Sequence, residues 1–475
     1  MTPAKELPII IEKSQEEVEQ IVALVHSSNL PERTKPFVIG CINLASWIPK
    51  ALVEHKVTIS NLKRLIFGKG AKTTRKLYRI PPGILVNIKG HNLASVNKYW
   101  IEKLRCALCN EVFPATIPKQ VCKEKYHPSF KAMLALQKYY MAMPFHRQDY
   151  FQSLLGFPIA ASTQWQLMEE LASCVLLVFP TLEKIAANGS LIHNDDTVVR
   201  IVDVIRNNRQ NPGQKRTGMY TTGILAQNGT HKIALFYNSK RHSGENMARL
   251  LNKRDKNKGQ VIQMCDALSH NLPANHRTIV CNCLSHGFRK FEELLAFYPE
   301  HCQTLMKYLS TPFQVDEKSK QLGHNEQQRL LYHQTHSQLS MLKAKAYMED
   351  LLSTKQIEPN ESLGKAINYM LKHWDKLTRF LSVSGAPVHN NNMEQGLKIP
   401  IRGRNNWLFY KTEYGAMVGG VLTSIIYTCE LANVNPFEYL VALQVYKDHI
   451  VKEPTAWLPW SYANTTALLE SSMAA

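Results

Sequence analysis

The order of strand-like and helix-like segments between residues 190 and 298 constrains the fold of this chain more than any other feature. Three short β-rich runs, separated by Asn, Gly and basic residues, predict an antiparallel meander at residues 190–202, 218–227 and 231–239. A helix capped by Ser243, two buried strands and a second helix are then predicted at residues 243–254, 259–267, 278–285 and 287–298. This order predicts a mixed α+β core in which two parallel strands are added to the sheet formed by the antiparallel meander.

The same order is that of the ribonuclease H-like fold, in which the first and fourth strands are neighbours. Residues 299–382 return to helical periodicity, so a helical insertion would interrupt the core before its final part. We therefore expect seven parts: a helical, basic N-terminal region for DNA binding and assembly (1–95), a cysteine-containing segment (96–125), a helical linker (126–187), the first part of the core (188–298), the insertion (299–382), the last part of the core with Glu394 (383–434) and a C-terminal tail (435–475).

The charge of the chain favours a polyanionic partner. A formal net charge of +19 and a pI near 9.4 point to nucleic acid more strongly than to a membrane surface. From His55 to Ile101 the chain has no acidic residue but ten basic ones, among them Lys63 and Arg64. Such a stretch repels itself unless a polyanion neutralises it, so we interpret it as a DNA-contacting arm. The alternative is a basic, solvated linker.

Nothing in the sequence predicts export or a membrane span. No run of about 18 apolar residues occurs, and the N-terminus lacks a basic region followed by an uncharged apolar core. The ten cysteines are scattered without even pairing, as expected for thiols in a reducing cytosol. Only Cys106 and Cys109 have the spacing of metal ligands.

Three acidic residues in separate segments suit the chemistry of phosphodiester cleavage. Asp195 lies in the first predicted strand, Asp266 closes the fourth, and Glu394 begins a helix after the insertion. Carboxylates are ligands that Mg²⁺ prefers, and two Mg²⁺ ions can activate a nucleophile and stabilise the leaving oxygen. We expect Asp195 and Asp266 to meet at one edge of the sheet, with Glu394 arriving from a helix beneath it. The alternative for Glu394 is a first-turn acid favoured by the helix dipole, without a metal.

The segment around Glu394, residues 389–412, is otherwise cationic, so we expect it to face DNA phosphates. The candidates for this contact are Lys398, Arg402 and Arg404. Asn391 or Asn392 would cap the helix, and Pro400 would end it.

Eight blocks of the chain, in the same order, resemble the large DDE transposase of the insertion sequence 66 family. They are SLIHNDDTVVRI, RTGMYTTGILA, ALFYNSKRHSGENMARLLNKR, MCDALSHN, CLSHGFRKFEEL, NNNMEQGLK, NWLFYKTEYGAMVGG and NPFEYLVAL. The resemblance covers most of the chain. It implies a bacterial, cytoplasmic, nucleoid-associated enzyme that cuts element ends and joins their 3′ hydroxyls to target DNA. By position, Asp195, Asp266 and Glu394 match the catalytic residues that hold Mg²⁺, for which Mn²⁺ substitutes, and Asp196 would assist or replace Asp195.

The resemblance also bears on nearby cysteine, histidine and arginine side chains. Cys283 and His286 look like the Cys-x-x-His pair that follows the second catalytic Asp, and we interpret them as a packed, hydrogen-bonded pair, with zinc binding as the alternative. Arg289 would reach phosphate or stay solvated. The family's zinc region supplies two Cys-x-x-Cys pairs, whereas residues 96–125 hold one, Cys106 and Cys109. We therefore expect an orphaned half-site, the alternative being Zn²⁺ with Cys122 as a third ligand.

Two residues depart from the family's pattern near the proposed site. Gln395 and Asn405 stand where the family places basic residues, which removes two cations from the DNA-facing strip. The leading hypothesis is a Mg²⁺-dependent transposase that binds double-stranded DNA as a homo-oligomer, with the need for accessory proteins of the same element left open. The alternative is a catalytically impaired, DNA-binding remnant that acts at the element ends. A host nuclease on the same fold is a third hypothesis.

Overall fold

The computed structural model describes residues 14–43, 46, 94–117, 124–213 and 216–474. The chain divides into two units, Met1–Lys89 and Gly90–Ala475. In the first unit, helix α1 (Gln15–His26) begins after Ser14, whose side chain and backbone exchange hydrogen bonds with Glu17 at 3.2 and 2.9 Å. Residues 35–43 are also helical. The predicted DNA-contacting residues Lys63 and Arg64 lie outside the described residues.

The second unit combines a hairpin, a larger sheet and many helices. The strands are β1 (Lys103–Arg105), β2 (Val112–Pro114), β3 (Leu191–Val198), β4 (Tyr220–Asn228), β5 (His231–Ser239), β6 (Ile262–Cys265) and β7 (Ile279–Asn282). The helices are α2 (Pro128–Ala135), α3 (Phe145–Leu154), α4 (Ala161–Val175), α5 (Phe179–Ala187), α6 (Val202–Gln210), α7 (Ser243–Leu251), α8 (Leu284–Leu294), α9 (Pro299–Gln321), α10 (Glu326–His336), α11 (Gln338–Ser353), α12 (Ser362–Lys372), α13 (Trp374–Leu377), α14 (Asn391–Trp407), α15 (Glu413–Leu431), α16 (Pro436–Val445), α17 (Lys447–Lys452) and α18 (Tyr462–Ala474). Shorter turns lie at Leu136–Tyr140 (π), Ser269–Asn271, Arg379–Leu381 and Pro454–Trp457 (3₁₀).

The larger sheet has five strands in the order β5-β4-β3-β6-β7. β3, β4 and β5 are antiparallel neighbours, whereas β6 runs parallel to β3 and β7 parallel to β6. The predicted mixed α+β architecture is therefore confirmed, including the antiparallel meander and the parallel strand beside β3. The helical periodicity of residues 299–382 is confirmed as well, by α9 to α13.

Side chains on the sheet alternate between two helical layers, as the two-residue period of a strand requires. On one face, Ile192, Ile224 and Leu235 join the largest core, which also contains buried side chains of α4, α5, α7, α15 and α16. On the other face, Leu225 and Phe236 pack against buried apolar side chains of α14. The insertion helices bury a separate core with Met264 of β6 and Cys281 of β7. Helix α14 therefore lies on the face opposite the largest core.

Helix α15 covers the edge strand β5. The Ser424 and Thr428 hydroxyls accept the backbone N–H groups of Phe236 and Ala234 at 2.7 and 3.1 Å, so donors of this edge find partners within the fold. Gly420 permits the close approach, since a Cβ there would lie 2.5 Å from the Phe236 carbonyl oxygen. By length and composition α15 could cross a membrane, but 78% of its apolar stretch is buried inside the protein, which is typical of a core helix.

Two predicted helix ends are wrong. Ser243 is the first residue of α7, and His242 occupies the preceding cap position in an extended conformation. Helix α14 continues for about two turns beyond Pro400. A proline inside a helix costs about 3 kcal/mol, which local sequence rules treat as a stop. Here the buried side chains of Leu397 and Ile399 keep the helix docked on the sheet.

A buried ion-pair network fastens the insertion to the segment that precedes α14. Asp316 Oδ1 accepts a hydrogen bond from Arg329 Nε at 2.7 Å and lies 2.6 Å from Arg329 Nη2. The other carboxylate oxygen, Oδ2, lies 2.8 Å from Lys320 Nζ. Arg329 Nη1 also donates to the Ala386 carbonyl at 3.0 Å. Burial by itself would raise the pKa of Asp316, but hydrogen bonding from His333 and the charges of Arg329 and Lys320 outweigh it and hold this pKa well below its ordinary value.

Replacing Asp316 is expected to destabilise the protein in a pH-dependent way. Asp316→Asn leaves Arg329 partly buried without its counter-ion, and we expect a loss of about 3 kcal/mol in the free energy of unfolding at pH 7. Because the folded-state pKa is depressed, the wild-type contribution is complete above the unfolded pKa of about 3.9 and is lost as pH falls below it. Urea unfolding at pH 7 and at lower pH measures this difference.

The matched control is Asp375→Asn, because Asp375 is an exposed carboxylate of the same insertion. Its effect should stay within about 0.5 kcal/mol at every pH. A wild-type advantage over Asp316→Asn that stays constant as pH falls would contradict the assigned role of the carboxylate.

Candidate active site

Asp195 and Asp266 lie at the same edge of the sheet, at corresponding positions of neighbouring parallel strands. The β3–β6 pairing ends with His193 opposite Met264; Asp195 follows two residues later within β3, and Asp266 is the first residue after β6. Adjacent strands are about 4.8 Å apart, and the two carboxyl groups are close enough for the charge of Asp266 to raise the pKa of Asp195. The strand register is consistent with the expectation that Asp195 and Asp266 meet at this end of the sheet.

The Asp195 carboxylate is enclosed and crowded by negative charge. Burial is the largest cause that raises the pKa of Asp195, and with the charges of Asp266, Asp196 and Glu394 it brings this pKa to about 7, although the Asp196 N–H that donates to Oδ1 at 2.8 Å lowers it. Several carboxylates in a poorly hydrated space repel one another unless a cation joins them. The electrostatics of this edge therefore favour a bound cation.

A buried amide network holds Asp266. Asn271 Nδ2 donates to Asp266 Oδ1, and the Leu268 N–H reaches the same oxygen at 3.2 Å. The Asn271 carbonyl in turn accepts hydrogen bonds from Gln263 at 2.8 Å and from Asn194 at 2.9 Å. The loop after β6 is thus bound to β3, and the direction of the Asp266 side chain depends on this network.

Asn390 fixes the start of the helix that carries Glu394. Its Oδ1 accepts a hydrogen bond from His193 Nδ1 at 2.9 Å, and its Nδ2 donates to the Asn194 carbonyl at 3.4 Å. Its backbone N–H points to Cys283 Sγ at 3.2 Å, and its carbonyl accepts the Glu394 N–H at 3.1 Å. Burial lowers the pKa of His193 to about 4, so the ring is neutral at pH 7 and donates from Nδ1. One buried side chain therefore joins α14 to the strand of Asp195.

The sequence prediction that Asn391 or Asn392 caps α14 is wrong. Asn391 is the first helical residue, both side chains are exposed, and the buried residue at the helix start is Asn390. Sequence reasoning missed Asn390 because three consecutive asparagines look alike until the tertiary structure decides which one is buried.

Gly223 lets α14 approach the sheet beside Asp195. Gly223 pairs with Asp195 across β3 and β4, so both residues face the same side of the sheet. A Cβ at Gly223 would overlap the end of the Met393 side chain and lie 3.0 Å from Leu397 Cδ2. The missing side chain thus sets how closely the residues next to Glu394 pack over the sheet.

Glu394 lies among a thiol, an imidazole and a guanidinium group. Its Oε2 is 3.1 Å from Arg289 Nη2, and its Oε1 is 3.9 Å from His286 Nδ1. Both Oε1 and His286 Nδ1 are buried and make no hydrogen bond. Potential ligand atoms of Cys283, His286 and Glu394 all lie within 4.8 Å of one another. A buried, unsatisfied carboxylate oxygen is costly, which fits a position where a cation or a substrate group binds.

The structure does not gather the three predicted carboxylates into a tight set. Among the described residues, the three-residue sets whose ligand atoms lie within 4.8 Å of one another are Cys283–His286–Glu394 and Asp196–His242–His270. Asp195 and Asp266 influence each other electrostatically but do not join Glu394 in such a set. A shared ion would therefore require side-chain rotations that bring the carboxylates closer.

Asp196 faces away from Asp195. Successive residues of a strand point to opposite faces, and Asp196 accepts hydrogen bonds from Thr222 Oγ1 and from the Ser243 N–H, both at 2.6 Å. These partners lie on the face covered by α7. The structure therefore separates Asp196 from the Glu394 side of the sheet, and the expectation that it could replace Asp195 has no geometric support.

The predicted DNA-facing cations fall into two groups. Lys398 is exposed on α14. The others have protein partners: Arg402 donates to the Tyr140 carbonyl, Arg404 donates to Thr197 Oγ1 at 3.1 Å, and Arg289 pairs with Glu394. Arg402 and Arg404 thus also help to fix α14, which their sequence position did not reveal.

Cys106 and Cys109 lie in the turn of the β1–β2 hairpin. The Cys106 N–H donates to the Glu111 carbonyl at 2.8 Å, and the Cys106 carbonyl accepts the Asn110 N–H at 2.9 Å. Backbone N–H groups of Cys109 and Leu108 hydrogen-bond the Cys106 sulfur and lower its pKa, which favours the thiolate that a metal needs. Cys122, the predicted third thiol, lies outside the described residues.

Comparison with known proteins gives one family and several distant relatives. A model of the transposase IS66 family matches residues 123–418, well over half of the chain. The uncharacterized protein y4hP of Sinorhizobium fredii (strain NBRC 101917 / NGR234) is 23% identical over 399 residues, covering 77% of this chain and 68% of the relative. The uncharacterized protein y4jD of the same strain is 28% identical over 185 residues, covering 38% of this chain and 35% of the relative.

Removal of the Asn390 side chain should loosen the start of α14. Asn390→Ala leaves the buried His193 Nδ1 without an acceptor, so we expect the free energy of unfolding to fall by about 1–3 kcal/mol. Asn391→Ala, at the exposed neighbouring position, should change it by less than about 0.5 kcal/mol. Urea unfolding measures both values, and hydrogen exchange of the amides around Glu394 locates the loosened segment. Equal effects of the two substitutions would refute the role of Asn390.

Proposed function

The chain belongs to the IS66 family of transposases, and from that premise we propose that it is a DDE-type enzyme that cuts DNA strands at element ends and joins their 3′ hydroxyls to target DNA. The observation that carries the proposal is the position of Asp195 within β3 beside the end of the parallel strand β6, which Asp266 directly follows, with Glu394 on a helix docked against the same face as Asp195. Phosphoryl transfer depends chiefly on positioning of the reactants and on stabilisation of charge. Carboxylates that hold metal ions at this end of the sheet would supply both.

The strand order supports a ribonuclease H-like core. Three antiparallel strands followed by two parallel ones, in the order β5-β4-β3-β6-β7, place the first and fourth strands side by side. The helical insertion then separates these strands in sequence from the final acidic residue. We assign β3 to β7 together with α7, α8 and α14 to this core.

The donor set at this edge fits magnesium. Asp195, Asp266 and Glu394 offer hard carboxylate oxygens, the Glu394 Oε1 atom is buried without a partner, and Asp195 is crowded by like charge. These three residues would hold Mg²⁺ or Mn²⁺, and the bound ions would activate the attacking oxygen and stabilise the leaving one. His193 and Asn390 keep the supporting backbone in place. Arg289 keeps a positive charge beside Glu394, where it can contact a DNA phosphate.

Double-stranded DNA is the proposed partner. The net charge of +19 provides long-range attraction, and Lys398 on α14 supplies an exposed cation on the helix of Glu394. Synapsis of two element ends requires two binding sites, so we propose a homo-oligomer that acts on DNA of the bacterial nucleoid. Zn²⁺ at Cys106 and Cys109 would require further ligands.

A second candidate is a DNA-binding remnant without cleavage activity. The Arg289–Glu394 ion pair favours it, because this contact satisfies one oxygen of the final carboxylate without a metal. Gln395, at the position after Glu394 where the family has a cation, favours it too. DNA binding at element ends without Mg²⁺- or Mn²⁺-dependent nicking would distinguish this candidate from the enzyme.

Single substitutions of the three carboxylates test the enzyme directly. Asp195→Asn, Asp266→Asn and Glu394→Gln should each lower Mg²⁺-dependent cleavage of element-end DNA by at least about 100-fold, since each removes an anionic ligand that would hold the metal ions. DNA affinity, measured by gel shift, should change less than about threefold. Asp448→Asn, which alters an exposed carboxylate of α17, is the matched control and should retain full cleavage. Cleavage that persists in all three variants would refute the assignment.

The exposed cation of α14 can be tested by salt dependence. If Lys398 contacts a phosphate, Lys398→Ala should weaken DNA binding and reduce the slope of log Kd against log salt by about 1. Lys365→Ala, at an exposed lysine of α12, serves as the control. Equal slopes for the wild type and Lys398→Ala would place this side chain outside the DNA interface.

A further inference from the structure

A carboxylate and two imidazoles meet on the face of β3 opposite Asp195. Asp196 comes from β3, His242 from the residue before α7, and His270 from the Ser269–Asn271 turn after β6. Their potential ligand atoms all lie within 4.8 Å of one another. We propose that Asp196, His242 and His270 form a binding site for a transition-metal ion of the zinc type, separate from the carboxylates that would hold Mg²⁺.

Asp196 and His242 are in direct contact through a long hydrogen bond, and the same spacing suits two ligands of one ion. Asp196 Oδ2 and His242 Nδ1 are 3.3 Å apart, and the His242 and His270 ring centroids are 4.6 Å apart. Ligands about 2.0–2.1 Å from a tetrahedral zinc ion are separated from each other by about 3.3–3.4 Å. A hydrogen bond between an imidazolium and a carboxylate is shorter, about 2.7–2.9 Å. The Asp196–His242 spacing therefore matches the edge of a coordination tetrahedron.

Surrounding groups hold two of the ligands in place. Thr222 Oγ1 and the Ser243 N–H fix the two Asp196 oxygens at 2.6 Å each, and Asn246 Nδ2 holds the Thr222 hydroxyl at 2.9 Å. The His242 ring packs on Tyr220 with centroids 4.0 Å apart. Each carboxylate oxygen has a second lone pair that remains free for an ion. Such partners restrict ligand rotation and strengthen metal binding.

Burial and access are also those of a metal site. The Asp196 side chain is only 7% exposed, whereas His270 is exposed, so a desolvated anion lies at the inner end of a solvent-accessible cluster. A poorly hydrated carboxylate favours a nearby cation, and the exposed imidazole leaves an entry path. Two imidazoles with one carboxylate select Zn²⁺, Co²⁺ or Ni²⁺ over Mg²⁺, which prefers oxygen ligands throughout. A fourth coordination position stays open to water.

An ion here would tie together three parts of the fold near the proposed catalytic edge. It would join β3, the start of α7 and the turn that contains Asn271, whose side chain donates to Asp266. The site would thus stabilise the loop that positions Asp266. This last consequence rests on the proposed function, whereas the binding of the ion does not.

Metal titration of the full-length protein tests the site. The titrated protein, and every variant compared with it, carries the background substitutions Cys106→Ser, Cys109→Ser and His286→Ala. These remove the hairpin thiols and one ligand of the Cys283–His286–Glu394 cluster, so that neither of them accounts for Co²⁺ binding. After removal of metal by chelation, Co²⁺ is titrated and followed by calorimetry and by its visible absorption. We expect one Co²⁺ per chain, displaced by Zn²⁺. Adding His242→Ala or His270→Ala should weaken this binding at least about tenfold.

The matched control adds His276→Ala, because His276 is half-buried and hydrogen-bonds Asn252 at 3.0 Å outside the cluster. Co²⁺ affinity should be unchanged in this control. Far-ultraviolet circular dichroism verifies that each variant is folded, and the exposed position of His270 makes its substitution the safer of the two. Absence of Co²⁺ binding in the background, or unchanged affinity in a folded His242→Ala or His270→Ala variant, would overturn the proposal. The titration contains no DNA, so its outcome is independent of whether the protein cleaves DNA.

Discussion

The arrangement of the candidate site depends on the hydrogen bonds of one buried amide, that of Asn390. Its side chain binds His193 and the Asn194 carbonyl of β3, while its backbone contacts Cys283 and Glu394. A buried amide must find partners for both its donor and its acceptor, so few orientations of α14 on the sheet satisfy it. The position of Glu394 relative to Asp195 follows from this requirement.

The alternation of side chains along β3 gives adjacent aspartates different surroundings. Asp195 faces α14 and other carboxylates, whose oxygens suit a hard cation such as Mg²⁺. Asp196 faces His242 and His270, whose imidazoles suit a transition-metal ion such as Zn²⁺. The sheet itself keeps these two environments apart. One strand would therefore carry a proposed catalytic residue on one face and a ligand of the proposed transition-metal ion on the other, without competition for the same ligand.

The helical insertion is long, yet it remains tied to the core where the site is built. Arg329 couples the buried Asp316 carboxylate to the Ala386 carbonyl, shortly before α14 begins. At the edge of the sheet formed by β5, helix α15 covers this strand through hydrogen bonds of Ser424 and Thr428. Arg329 thus restrains the segment before α14, and Arg404 near the other end of this helix bonds back to β3 at Thr197. This restraint explains why the helix tolerates Pro400.

Local sequence pattern determined the strands of the core and the helical insertion, because hydrophobic periodicity acts over short distances. The order of these elements, compared with a known fold, led to the expectation that β3 and β6 are neighbours and that Asp195 and Asp266 lie close together, but the register between the two strands is set only in the folded sheet. Tertiary structure alone decided which asparagine of the run is buried, that Arg289 pairs with Glu394, and that His242 and His270 join Asp196. These contacts link residues distant in sequence, and their distances depend on how loops and helices pack, which no local periodicity encodes.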